Sequence, residues 1–118
     1  MNVDSRAPAA AEVDAGFVEI RTTFGDRASA EACARRLVET RVAACVQVDG
    51  PITSTYAWRG AVETATEWRC TCKTTVSRAA DCRSAIVTGH PYETPEVVEA
   101  PVAAAGPYAA WLRTSVDG

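Results

Sequence analysis

An unusually long β-hairpin is the feature that most limits how this chain can fold. The run ITSTYAW at 52–58 and the run AVETATEWRCTCKTT at 61–75 flank Arg59-Gly60, a two-residue turn in which glycine supplies the positive φ that such turns need. Hydrophobic side chains of the return run fall mainly at even positions, and charged ones fall at odd positions. The return strand is therefore far longer than the roughly five or six residues of an ordinary strand.

The segments around the hairpin predict alternating strands and helices. Val18 and Ile20 alternate with charged residues, as in a strand, and Asp26 or Ser29 is expected to cap the helix that follows. We expect Asp49-Gly50-Pro51 to interrupt or bend the second strand. The predicted order is β-α-β-β-α-β-α, with strands at 17–23, 43–58 (broken at 49–51), 61–75 and 96–102, and helices at 28–41, 77–88 (capped by Ser77) and 107–116.

This order predicts the fold class. The first six elements form the split βαβ, or ferredoxin-like, arrangement, which is an α+β fold with two helices on one face of an antiparallel sheet. The last helix is an addition to it. The other face of the sheet and the edges of the long hairpin arm would be left bare, and exposed strand edges need a cover. We therefore expect a homo-oligomer in which a second copy of the chain provides it.

Composition and charge limit the classes of function. The 118 residues suffice for one domain, expected at 16–118 behind a disordered N-terminal tail at 1–15. A net charge of -3 argues against a nucleic-acid partner, and no apolar run is long enough to predict a membrane span. The tail lacks the apolar stretch of a signal peptide, so we expect a cytoplasmic protein. Five cysteines without a regular framework fit reduced thiols in that compartment.

Four segments carry a resemblance to a known family. In order and spacing, AACV at 43–46, TSTYAWRGAVETATE at 53–67, KTT at 73–75 and GHPYETPE at 89–96 resemble the CutA divalent-cation tolerance proteins. The resemblance implies a ferredoxin-like fold assembled as a tight homotrimer, whose long hairpin strands pair between subunits. It also implies a role in tolerance of divalent metal ions, chiefly copper, so Cu2+ is the ion expected to bind.

Two residues are the predicted metal ligands. His90 is the only histidine, and imidazole is the commonest metal ligand of proteins, while the resemblance favours Cys45 among the cysteines. In copper-binding members the ligands resemble a first-strand cysteine and two successive histidines, but this chain has Thr22 and Gly89 at two of those positions. We therefore expect weak binding. The alternatives are a His90 that hydrogen-bonds backbone at a helix stop and a Cys45 that is a buried, inert thiol.

A second group of residues predicts a polar cleft between subunits. Aromatic and charged side chains from the hairpin arm could meet the GHPYETPE segment of a neighbouring subunit and hold a hydrated metal ion or a small anionic ligand. An interfacial salt-bridge network would explain the same residues. The group consists of Tyr56, Trp58, Glu67, Lys73, Tyr92 and Glu96.

The leading function is thus a homotrimer that takes part in divalent metal ion (copper) tolerance. The alternative is a trimeric small-molecule sensor or signalling scaffold, like PII proteins, whose anionic ligand would need Lys73. No nucleophile elbow, phosphate loop or dinucleotide fingerprint is present, so we expect no enzyme activity. The remaining thiols are expected in the core; they are Cys33, Cys70, Cys72 and Cys82.

Overall fold

The computed structural model describes residues 12–117, in which four strands and three helices follow the predicted order. These are β1 (Val13–Phe24), α1 (Arg27–Glu39), β2 (Cys45–Trp58), β3 (Ala61–Thr75), α2 (Val76–Thr88), β4 (Val98–Ala105) and α3 (Gly106–Asp117). The strands form one antiparallel sheet in the order β2-β3-β1-β4. The predicted α+β class and split βαβ order are confirmed. Within the described residues, no helix is long and apolar enough to span a membrane.

The two helices that flank the hairpin, α1 and α2, begin in different ways. At α1 the side chain of Asp26 accepts a hydrogen bond from the Ser29 backbone N–H at 2.7 Å, which satisfies one of the free donors of the first turn. At α2 the predicted cap is wrong. Because β3 runs straight into the helix, Thr75 is the N-cap in extended conformation, and its hydroxyl lies 3.0 Å from that of Ser77.

The N-terminal boundary of the domain lies earlier than predicted. Strand β1 begins at Val13, where Val13 pairs with Ala105 and Asp14 pairs with Ala104. Residues 13–15 therefore belong to the sheet rather than to a tail, because β4 is long enough to pair with them. Residues 1–11 of the predicted tail lie outside the described residues, and their disorder stays a prediction.

Strand β2 bends at the predicted position, and it continues as one strand. Its register against β3 shifts between Asp49 and Ile52, so one stretch of β2 bulges out of the ladder. A Cβ atom on Gly50 would lie 2.6 Å from Cδ1 of Trp68, which is too close for any side chain. Glycine at this position thus lets the bulge pack directly against the Trp68 ring.

Two hydrophobic clusters hold the sheet between its helices. The larger one joins α1 and α2 to one face of the sheet and contains four thiols at 1% exposure or less, those of Cys33, Cys70, Cys72 and Cys82. The predicted core position of these cysteines is confirmed. The smaller cluster packs α3 on the opposite face around Phe17. The hairpin arm reaches beyond both clusters, and the described chain is 55 Å long but only 26 Å and 22 Å across.

Candidate functional site

The segment that follows α2 folds back onto the end of β1 through His90. The Nε2 atom of His90 lies 2.8 Å from the carbonyl oxygen of Thr23, and Nδ1 accepts a hydrogen bond from the Tyr92 backbone N–H at 3.1 Å. The imidazole also stacks on Phe24, with ring centroids 4.3 Å apart and ring planes 14° from parallel. Since Nδ1 accepts a hydrogen bond, it carries no proton. The ring proton is therefore on Nε2, which donates a hydrogen bond to the Thr23 carbonyl oxygen. The geometry is that of a histidine bonded to backbone at a helix stop.

The surroundings of His90 keep its ring neutral. Burial lowers the pKa of His90 below its ordinary value of 6.5, and this effect is only partly offset by the bond to the Thr23 carbonyl and by the nearby charge of Glu67. A neutral imidazole can ligate a metal through its unprotonated nitrogen. That nitrogen is Nδ1, so ligation would require it to release the Tyr92 N–H.

The two predicted metal ligands lie far apart in one subunit. Cys45 pairs across the sheet with Lys73, which in turn pairs with Glu19, whereas His90 contacts Thr23 and Phe24. At about 3.3 Å per residue, Glu19 and Thr23 are separated by roughly 13 Å along β1. Residues 12–117 contain no group of three or more His, Cys, Asp or Glu side chains arranged to hold a metal ion.

The two positions that depart from the expected copper-ligand pattern have different surroundings. Thr22 is fully buried, and its hydroxyl oxygen has no hydrogen-bond partner in the described structure. At Gly89, a Cβ atom would lie 2.5 Å from Nη2 of Arg36. Thr22 thus lies in the core, and a side chain at position 89 would require the exposed Arg36 side chain to move.

A cleft of about 670 Å³ opens between the hairpin arm and the segment that follows α2. Five of the six residues predicted for a cleft line it within a single subunit, namely Tyr56, Trp58, Glu67, Tyr92 and Glu96. Lys73 does not line it. Its Nζ atom lies 5.7 Å from the centre of the Tyr108 ring, on the side of the sheet covered by α3. Any meeting of Lys73 with a neighbouring subunit stays a prediction.

Six further lining residues were not foreseen as site residues. They are Thr23, Ser54, Thr55, Glu63, Glu93 and Thr94. One of them could have been found from the turn alone: Trp58 pairs with Ala61 across Arg59-Gly60, so Tyr56 must face Glu63, and the structure has this register. The approach of Thr23 depends on the contact with His90, which no local pattern indicates.

The electrostatic character of the cleft is acidic. Its lining includes four carboxylates, of Glu63, Glu67, Glu93 and Glu96. The deepest is Glu67, which is 8% exposed and accepts a hydrogen bond from the Tyr92 hydroxyl at 3.0 Å. Burial, together with this bond to Glu67, raises the pKa of Tyr92 to about 12. An anionic ligand would meet these charges without the help of Lys73, so the structure does not favour the small-anion hypothesis.

Comparison with known proteins shows relatives that match most of this chain. A family model described as "CutA1 divalent ion tolerance protein" matches residues 18–115. A probable divalent-cation tolerance protein CutA homolog of Encephalitozoon cuniculi is 35% identical over 99 residues, covering 83% of this chain and 86% of that protein. The crystal structure of CutA from Xylella fastidiosa superimposes with a TM-score of 0.83 at 34% identity, covering 86% of this chain and 99% of that one.

Proposed function

Because the chain belongs to the CutA1 divalent ion tolerance family, we propose that it acts in the cytoplasm as a homotrimer in divalent-cation tolerance, with Cu2+ as the principal ion. It does so by binding the cation weakly in the acidic cleft. The family is named for tolerance rather than for a reaction, and we propose no catalytic step.

The observation that carries the proposal is the Glu67 carboxylate, which lines the cleft at 8% exposure. A buried carboxylate is costly unless a cation or hydrogen bonds compensate its charge. Hydroxyl groups of Ser54, Thr55 and Thr94 also line the cleft and supply further oxygen atoms. Because the described residues contain no preformed set of three ligands, the ion would keep part of its water shell, and binding would be weak.

His90 and Cys45 are proposed as nitrogen and sulfur donors to Cu2+. Copper(II) binds imidazole nitrogen readily, and Nδ1 of His90 becomes available once it releases the Tyr92 N–H. Cys45 is partly exposed at the start of β2. Since the two residues lie apart in one subunit, they would serve one ion only where neighbouring subunits meet.

The support for a homotrimer is the unpaired edge of the hairpin arm. The order β2-β3-β1-β4 leaves β2, which is 14 residues long, at the edge of the sheet. Beyond the bulge, β3 is paired with β2 alone. A long exposed edge strand invites pairing with another chain, and a closed ring of subunits would satisfy it without further growth.

Calorimetric titration of the assembled protein with Cu2+ tests the proposal. Glu67→Gln keeps an acceptor for the Tyr92 hydroxyl but removes the charge, and we expect it to weaken Cu2+ binding about tenfold. The control Glu31→Gln removes one charge from the exposed surface of α1, where Glu31 pairs with Arg27, and should leave the affinity unchanged. Equal affinities for wild type and Glu67→Gln would contradict the cleft as the cation site.

A separate titration of His90→Ala tests the nitrogen donor. Ligation by imidazole predicts weaker Cu2+ binding and a shift of the visible absorption band of the bound ion. An unchanged isotherm and spectrum would remove His90 from any metal role while leaving the carboxylate cleft in place. Cys45→Ser tests the sulfur donor by the same two measurements.

A further inference from the structure

The negative charges of the cleft have few positive partners in the described part of the chain. Among residues 12–117, the ion pairs include Glu93 with Arg59 but none for Glu63, Glu67 or Glu96. The hydrogen bond from Tyr92 satisfies one oxygen of Glu67 without neutralising its charge. Glu67 is buried, whereas Glu63 and Glu96 are exposed. A buried carboxylate usually has a cationic partner, so the cleft is complementary to a ligand that brings positive charge to Glu67.

The same cleft exposes three aromatic rings. Tyr56 is 41% exposed, Trp58 is 38% exposed and Tyr92 is 36% exposed, and all three line the cleft. Tyr56 and Trp58 lie two residues apart on one face of β2. A metal ion that keeps its water shell makes little use of such rings. Organic ammonium ions do, because their charge is attracted by the ring face and their methylene groups lose contact with water against it.

A cation of the chain itself, Arg59, already contacts two residues that line the cleft. The Arg59 guanidinium lies 5.4 Å from the centre of the Trp58 ring, and Nη2 of Arg59 lies 4.0 Å from Oε2 of Glu93. It therefore combines the two contacts that an organic cation would make, one with a ring and one with a carboxylate. Farther in, Tyr56 and Glu67 offer the same pair of groups without any arginine or lysine of the described residues paired to Glu67.

The spacing of the carboxylates indicates the shape of the ligand. Glu63 and Glu67 lie four residues apart on the same face of β3, and both line the cleft. At about 3.3 Å per residue their Cα atoms are roughly 13 Å apart. One small cation cannot pair with both. A linear molecule with an ammonium group near each end and methylene groups between them would pair with both carboxylates and contact the aromatic rings beside them.

We propose that the cleft binds a linear aliphatic polyamine of the spermidine class, with terminal ammonium groups at Glu63 and Glu67 and the carbon chain against Tyr56 and Tyr92. The ammonium group at Glu63 would also lie beside the Trp58 ring, which follows Tyr56 on the same face of β2 toward the turn. The inference shares its site with the proposed function and goes beyond it, because it does not require metal binding. A polyamine and a divalent cation would compete for Glu67, so each would weaken the binding of the other.

Calorimetric titration of the assembled protein with spermidine tests the inference. Trp58→Leu removes a ring and keeps an apolar side chain, and we expect spermidine to bind about five- to tenfold more weakly. Glu67→Gln should weaken it at least as much, and the surface control Glu31→Gln should not change it. Butane-1,4-diamine, which is too short to reach both carboxylates, should bind more weakly than spermidine. Circular dichroism and sedimentation of each variant establish that it folds and assembles as the wild type does.

The outcomes separate this inference from the proposed function. Spermidine and Cu2+ are titrated separately into the same wild-type protein, so that each ligand gives its own result. Absence of spermidine binding to wild type would overturn the inference and leave Cu2+ binding intact. If Glu31→Gln weakened spermidine binding as much as Glu67→Gln does, the inference would also be overturned, because the protein would then respond to net charge alone. Spermidine binding without Cu2+ binding would support the inference and contradict the metal proposal.

Discussion

At the scale of single residues, His90 links two parts of the chain, the end of β1 and the segment that follows α2. Its two ring nitrogens bond to the backbone of Thr23 and Tyr92, and its ring face packs on Phe24. The segment that follows α2 is thereby held against the end of β1, where it forms one wall of the cleft. His90 therefore shapes the cleft whether or not it binds a metal ion.

The neutral state of His90 predicts a pH-dependent stability. Burial lowers its pKa in the folded protein below the ordinary 6.5, so the unfolded chain binds more protons as the pH falls through that range. The contribution is complete above about pH 6.5 and is lost as the pH falls to the folded pKa. We expect the free energy of unfolding, measured by denaturant titration, to decrease between about pH 7 and about pH 5. His90→Gln should reduce this decrease, and an identical slope in the variant would contradict the assignment.

The unpaired hydroxyl of Thr22 predicts a stabilising substitution. Thr22→Val replaces a buried group that has no partner with a methyl group of nearly the same shape, so the free energy of unfolding should rise by about 1 kcal/mol. The matched control is Thr74→Val. The Thr74 hydroxyl is also fully buried, but it donates a hydrogen bond to the Val42 carbonyl at 2.7 Å. Its loss should lower the free energy of unfolding, and the same sign for both variants would contradict this reading of Thr22.

At the scale of elements, the hairpin arm depends on glycine for two different reasons. Gly60 has a φ of +83° and no heavy atom within 4 Å of an added Cβ, so its role is confined to backbone conformation. At Gly50 an added Cβ would meet the Trp68 ring at 2.6 Å. The tip requires glycine for the turn, and the bulge requires it for packing.

This difference predicts unequal effects of alanine at the two sites. Gly60→Ala should lower the free energy of unfolding by about 1 kcal/mol through backbone conformation alone. Gly50→Ala should cost more, since Trp68 must also move away. Thermal unfolding of the two variants under the same conditions gives the comparison. An equal or smaller effect at Gly50 would show that the bulge relaxes without displacing Trp68.

The structure of the hairpin arm could be predicted only in part from the sequence. The two-residue turn fixes the pairing of Trp58 with Ala61, and alternation then assigns faces to the rest of the arm. The sequence predicted that Asp49-Gly50-Pro51 would interrupt or bend β2, but it left that choice open, because the bulge depends on the Trp68 ring that packs against it. The cleft was predicted between subunits from residue types alone. Its wall near Thr23 depends on a contact with His90 across 67 positions of sequence.

At the scale of the whole molecule, the residues that line the cleft lie mostly outside the hydrophobic core that stabilises the fold. The two hydrophobic clusters lie where the helices cover the sheet, whereas the carboxylates and rings of the cleft lie on the arm and the neighbouring segment. Substitutions in the cleft should therefore change ligand binding with little effect on the core. The bare edge of β2 makes assembly, rather than the core, the property that protects the arm.

The assembly itself is open to direct measurement. Analytical ultracentrifugation across a dilution series should give a species with three times the 12.5 kDa of one chain. The reason is that pairing of arm edges between subunits satisfies backbone groups that a single chain leaves open. A folded species of 12.5 kDa that persists at micromolar concentration would contradict the homotrimer.

The burial of four thiols has a practical consequence for spectroscopy. Cys33, Cys70, Cys72 and Cys82 are enclosed at 1% exposure or less, which leaves Cys45 as the partly exposed cysteine of the native chain. A maleimide dye or nitroxide added to the folded protein should attach once per chain, at the beginning of β2. Every subunit thus offers a natural handle from which probes could report distances across the assembly without any engineered cysteine.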